Sequence, residues 1–186
     1  MQFMKTAPIS VYWLNRLKRL PRLPFNICRR VFYAMATFIW PCGIFKGIRT
    51  LDFSRKTRSS FDQKIYEALA LIEQNDPVRF ERVRREIRLI IYDRWLLEPL
   101  PAGSYFYQAR ACMINLKRFD FSKSPKFRTA LLAATIVDGG TLGHLRRIRL
   151  LNPNRYKIIC RKEEIRFLLK LGYDLRGFDV SETGQS

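Results

Sequence analysis

The chain has 186 residues, 47% of them hydrophobic and 13% aromatic, with 35 Lys and Arg against 16 Asp and Glu. Nine Gly and nine Pro are too few for a low-complexity or collagen-like chain, and the apolar content is too high for a disordered one, so the sequence must bury a core. The formal net charge of +19 is uneven: residues 1–60 hold twelve basic residues and the single acid Asp52, which points to a polyanionic partner, either nucleic acid or the anionic face of a membrane.

In chain order, Val11, Leu14, Leu17 and Leu20 recur at steps of three opposite Arg16, Lys18 and Arg19. That spacing predicts a short basic amphipathic helix over 10–20, stopped by Pro21. Residues 31–45 then run without a charge, and the apolar stretch reaches Ile48 if Lys46 snorkels. A spanning helix usually needs about 20 apolar residues, and Pro41 and Gly43 weaken the last turns. Three readings stand side by side: a span, an interfacial anchor with Trp13, Tyr33 and Trp40 at the headgroups, and a buried helix of the globular part. A cleaved signal peptide fits less well, because the run starts late and no small-x-small site follows it. We therefore expect residues 1–53 to associate with an anionic membrane surface, with a cytoplasmic protein as the alternative.

Residues 54–60, with Arg55, Lys56 and Arg58, read as a basic linker and place a domain boundary. Phe61, Ile65, Leu69 and Ile72 recur at helical spacing. Asp76-Pro77 then ends that helix and opens a second, in which Phe80, Val83, Ile87 and Ile90 or Ile91 form the apolar stripe. Pro99, Pro101 and Gly103 mark a loop over 95–104, and alternating residues over 105–116 predict one or two strands. Helices are expected over about 126–150 and 162–171, the second closed by Gly172. The domain would span 61–179, with 180–186 a disordered tail. Cys28, Cys42, Cys112 and Cys160 form no C-x-x-C pair or zinc-ribbon spacing.

The stretch Thr135-Ile136-Val137-Asp138-Gly139-Gly140-Thr141-Leu142-Gly143-His144-Leu145 resembles the active-site helix of small zinc-peptidase-like (zincin) domains, in which apolar residues precede His-Glu-x-x-His. Ile159 to Leu168 looks like the following helix of such domains, which often contributes a Glu, and the 105–116 strand region would be the edge strand beside the cleft. The resemblance covers roughly 60–175. It implies an α+β fold: a mainly helical zincin-like domain with a small edge-strand region, preceded by the basic hydrophobic segment.

The departures from that pattern decide the chemistry. His-Glu-x-x-His works because residues four apart share a helix face, so two imidazoles hold one Zn²⁺ and the adjacent Glu polarises its water. Here those positions are Asp138, Gly139 and Leu142, which supply one weak oxygen donor, no base and no second ligand. The expectation is no bound metal, no cofactor and no catalytic residue, with Asp138, His144 and Glu164 as the remnant of a site. Gly139-Gly140 costs about 1 kcal/mol of helix stability per Gly relative to Ala, which serves either close packing or nothing. His144, the chain's one histidine, lies about a third of a turn off the Asp138 face, so an undistorted helix keeps the two apart.

Other constellations are weaker. No Gly-x-Ser-x-Gly is present, Asp138-Gly139-Gly140 lacks the Lys-Ser/Thr ending of a phosphate loop, and Cys160 at an expected helix start reads as packing. A hydrolase with a rebuilt site remains the least favoured option. Arg146, Arg147, Arg149, Arg155, Lys157, Arg161 and Lys162 could form a polyanion-binding patch, and a nucleic-acid-binding protein is the rival class, though no helix-turn-helix, RNP-type or zinc-finger signature appears. The favoured reading is a membrane-associated, catalytically inactive zincin-like domain that binds a protein or peptide, for instance by strand addition.

Overall fold

The computed structural model describes residues 43–53, 58–92, 103–119, 124–148 and 153–173, together with Met35. The chain divides into two units, Met1–Trp40 and Pro41–Ser186, and every described residue except Met35 belongs to the second. The expected amphipathic helix over 10–20, the interface aromatics Trp13, Tyr33 and Trp40, and the tail over 180–186 lie outside the described residues. No helix among the described residues is long and apolar enough to cross a membrane.

The end of the apolar run is a hairpin and not a helix. Strand β1 (Gly43–Phe45) pairs antiparallel with β2 (Ile48–Asp52), closing on the pair Phe45 and Ile48. The two-residue connection has φ +46° at Lys46 and +89° at Gly47. Positive φ at both central positions makes the loop whose twist matches two antiparallel strands, and Gly47 adopts it without steric cost. The continuous stretch to Ile48 expected from hydropathy is corrected accordingly.

Helix α1 (Arg58–Asn75) buries Phe61, Ile65, Leu69 and Ile72 completely, as their spacing predicts. Helix α2 (Pro77–Glu86) begins at Asp76, whose carboxylate accepts the Arg79 N–H at 3.1 Å while Pro77 occupies the first helical position. It is shorter than expected. Ile87 is already extended at φ −108°, and Ile90 and Ile91 belong to strand β3 (Leu89–Tyr92), where β-branched side chains pack better than on a helix.

Strand β3 runs parallel to β2, and β5 (Ala111–Ile114) runs parallel to β3. Strand β4 (Gly103–Phe106) pairs antiparallel with β5, so the expected loop ends two residues earlier than its prolines and glycine suggest. The sheet order is β1-β2-β3-β5-β4. A five-stranded mixed sheet thus stands where only a small edge-strand region was expected. Strands β1 and β2 belong to the same unit as the helices, and Arg58 to Ser60 of the expected linker open the first of them, α1. Every residue of β3 and β5 is buried, so both faces of the sheet's centre are covered.

Helix α3 (Pro125–Ile148) is buried on all sides over residues 130–137 and packs against α1, α2, β4 and helix α4 (Pro153–Lys170). A helix apolar all round is a core helix. Helix α4 starts nine residues earlier than expected, so Cys160 sits within it and not at its beginning. It ends where the Gly172 N–H and Tyr173 N–H reach back to Leu169 O and Leu168 O, with Gly172 left-handed at φ +82°. Among the described residues the architecture is α+β, with four α-helices and the mixed sheet.

Candidate functional site

Asp138 lies on the side of α3 that meets α4. Leu142, one turn on, packs against the cluster of Leu145, Tyr156 and Cys160, and the Cys160 thiol hydrogen-bonds to the Asp138 carboxyl. Glu164 follows Cys160 by one turn of α4 and is close enough to act electrostatically on Asp138. The structure thus brings Asp138, Leu142, Cys160 and Glu164 to one helix interface. Burial, reinforced by Glu164, pushes the Asp138 carboxyl up to about 7, against the hydrogen bond from Cys160 and the Arg161 charge. The same surroundings raise the Cys160 thiol: burial first, then the Asp138 carboxylate. A thiol held protonated is a poor nucleophile.

Glu163 and Glu164 have different partners. Glu163 accepts from Arg79 Nη2 at 2.9 Å and from Arg166 Nη1 at 2.8 Å, tying α4 to α2. Burial alone would raise its carboxyl, yet Arg166 and Arg79 together hold it below its ordinary value. Asp76 extends this network, accepting from Lys170 Nζ at 2.9 Å as well as from Arg79. Glu164 is paired with Arg161, its neighbour one turn back.

His144 is elsewhere. Its Nδ1 lies 3.0 Å from Arg147 Nη2 and 3.8 Å from Glu86 Oε1, and partial burial with the charges of Arg82 and Arg147 lowers its pKa. Glu86, its side chain only 3% exposed, is the hub of that cluster: it accepts from Arg147 Nε at 2.8 Å and Arg85 Nε at 3.2 Å. The Glu86 carbonyl also accepts the Tyr105 hydroxyl at 2.9 Å. Sequence reasoning passed Glu86 over among four arginines. Its signal was its phase, since it follows Phe80 and Val83 at the three-residue steps of the apolar stripe.

The glycines of α3 serve close packing. A Cβ on Gly139 would lie 3.1 Å from Cys112 Sγ of β5, and one on Gly140 would lie 3.1 Å from the Val83 Cα of α2. A Cβ on Gly143 would meet the Tyr105 hydroxyl of β4 at 2.6 Å. The helix therefore lies directly on β5, α2 and β4. No peptide fits between Tyr105 and α3 at that point.

Of the expected polyanion-binding residues, Arg146, Arg155, Lys157 and Lys162 are exposed, Arg147 is engaged with Glu86, Arg161 with Glu164, and Arg149 lies outside the described residues. Among the described residues no group of three or more His, Cys, Asp or Glu is arranged to hold a metal ion. The donor set also fails to fit zinc: Asp138 is partly protonated near neutrality, its partner thiol is held protonated, and Leu142 offers no donor atom. Comparison with known proteins returns no matching family model, curated protein or solved structure.

Proposed function

We propose that the chain is a membrane-associated, catalytically inactive zincin-like domain with a binding or regulatory role. The observation that carries the reading is the placement of Asp138 and Leu142, four residues apart on α3, against the α4 helix that holds Glu164. Those are the two positions that carry imidazoles in His-Glu-x-x-His, facing the helix from which such domains often draw a third ligand. Two further features support it: β4 is an edge strand of the described sheet running beside α3, and Gly139 leaves no general base. Tyr105 lies directly against α3 at Gly143. A peptide partner would therefore add along the outer edge of β4, by main-chain pairing.

The test restores the ligands. Asp138→His with Leu142→His sets two imidazoles one turn apart with Glu164 opposite, and leaves Gly139 alone because a side chain there meets Cys112. The double variant should bind Zn²⁺ at least a hundredfold more tightly than the parent or either single variant, since two imidazoles chelate where one does not. Cobalt substitution should give the absorption of a tetrahedral site, and adding Glu164→Gln should weaken binding. A folded double variant with the parent's zinc affinity would refute the reading.

A further inference from the structure

A groove of about 820 Å³ lies where α2 meets the β1–β2 turn, and half of the residues that line it are cationic. Lys46, Arg82, Arg84, Arg85 and Arg88 contribute five positive side chains against the single acid Glu81, with His144 at the far side. Three of the arginines are exposed: Arg84, Arg85 and Arg88. Four of the five have a carboxylate partner: Lys46 pairs with Glu73, Arg82 with Glu163 at 3.8 Å, Arg84 with Glu81 at 2.8 Å and Arg85 with Glu86 at 3.2 Å. Glu86 is shared with Arg147 and Glu163 with Arg79 and Arg166, so cations stay in excess over carboxylates. The positive charge that remains in excess favours an anion in the groove.

We infer that this groove receives the phosphate headgroups of an anionic membrane, an inference that rests on the membrane part of the proposed function. Two observations choose a membrane among polyanions. Val78, in the groove lining, is 74% exposed, and Ile44, two residues before Lys46, is 63% exposed. Large aliphatic side chains beside cations suit a headgroup layer with hydrocarbon beneath it, and offer nothing to stack on a nucleobase. In the sequence, the uncharged stretch expected at the membrane immediately precedes Lys46 of the groove. Guanidinium groups bind phosphate oxygens through forked N–H donors and carry their charge at any physiological pH.

The experiment is vesicle co-sedimentation of the full chain, using phosphatidylcholine alone and phosphatidylcholine mixed with phosphatidylserine. Each basic residue near an anionic surface strengthens partitioning about fivefold, so Arg84→Gln with Arg85→Gln and Arg88→Gln should weaken binding to the mixed vesicles about a hundredfold. The comparison is Arg155→Gln with Lys157→Gln and Lys162→Gln, which removes three exposed charges from α4; it should cost less than tenfold, since residues away from the surface are screened within about 8 Å. Replacing the same three α2 arginines by lysine should preserve binding, and circular dichroism should show all variants folded. Equal losses in the two glutamine triples, or no loss in the α2 triple, would overturn the groove while leaving membrane association standing. A parent that ignores both vesicle types would overturn the membrane reading and this inference together. RNA displacing the parent from mixed vesicles, with the α2 triple losing RNA but not vesicles, would reassign the groove to nucleic acid.

Discussion

Replacing Asp138 by Asn removes a charge from the α3–α4 interface without changing its shape, and the pH dependence of the effect is fixed by the carboxyl's surroundings. In the unfolded chain Asp138 ionises near 3.8, whereas in the folded chain it keeps its proton up to about 7. Between those values the folded state binds more protons than the unfolded one, so stability falls as pH rises. The penalty is absent below about pH 4, grows through the interval and is complete above about pH 7. At about 1.4 kcal/mol per pH unit its ceiling is about 4 kcal/mol, and local rearrangement and water entry would leave about 2–4 kcal/mol. Asn keeps an acceptor for the Cys160 thiol and has nothing to ionise. The variant should therefore match the parent at about pH 4 and exceed it by that amount at about pH 8, as read from urea unfolding followed by circular dichroism. Glu164→Gln in the parent should recover part of the gain, because Glu164 contributes to the raised value. A stability difference that does not change with pH, or a variant weaker than the parent at pH 8, would show that Asp138 does not face the Cys160–Glu164 side of α4.

Two other outcomes follow from the α3 contacts. Because His144 is the chain's one histidine, its ring protons can be followed by NMR without ambiguity; it should titrate below 6.5, and Glu86→Gln should lower it further by removing the one nearby charge that favours its cation. Gly140→Ala would gain about 1 kcal/mol of helix propensity, but its Cβ meets the Val83 main chain, which cannot move aside as a side-chain tip can, so thermal unfolding should show a net loss of about 1–2 kcal/mol.

What the sequence disclosed was governed by locality. The stripe of Phe61, Ile65, Leu69 and Ile72, and the Asp76-Pro77 start of α2, depend on contacts within a turn or two, and both stand in the structure. The hairpin at Lys46-Gly47 was hidden because Gly43-Ile44-Phe45 ends an uncharged run whose hydropathy is the same for strand and helix. Ile90 and Ile91 matched the phase of α2, yet they pair with Thr50 and Leu51 about forty residues upstream. No local pattern reveals a parallel partner at that distance. For the site, helical phase was enough to hold His144 apart from Asp138, and enough to put Leu142 beside it. The Cys160 hydrogen bond and the Glu86 hub required the packing of α3 on its neighbours, since each joins residues of different helices.

The order of elements along the chain also imposes a schedule on synthesis. The five described strands, ending at Ile114, are made before α3, whose last residue is Ile148. At about 5–20 residues per second, the ribosome takes roughly 2–7 seconds to add those intervening residues. During that interval α1 and α2 are already made, but the part of β5 and β4 on which Gly139 and Gly143 of α3 lie has nothing yet to cover it. The nascent chain thus carries a sheet only partly covered, with the basic, apolar stretch that precedes β1 already made, and the opportunity for that stretch to find a surface comes before α3 closes the domain.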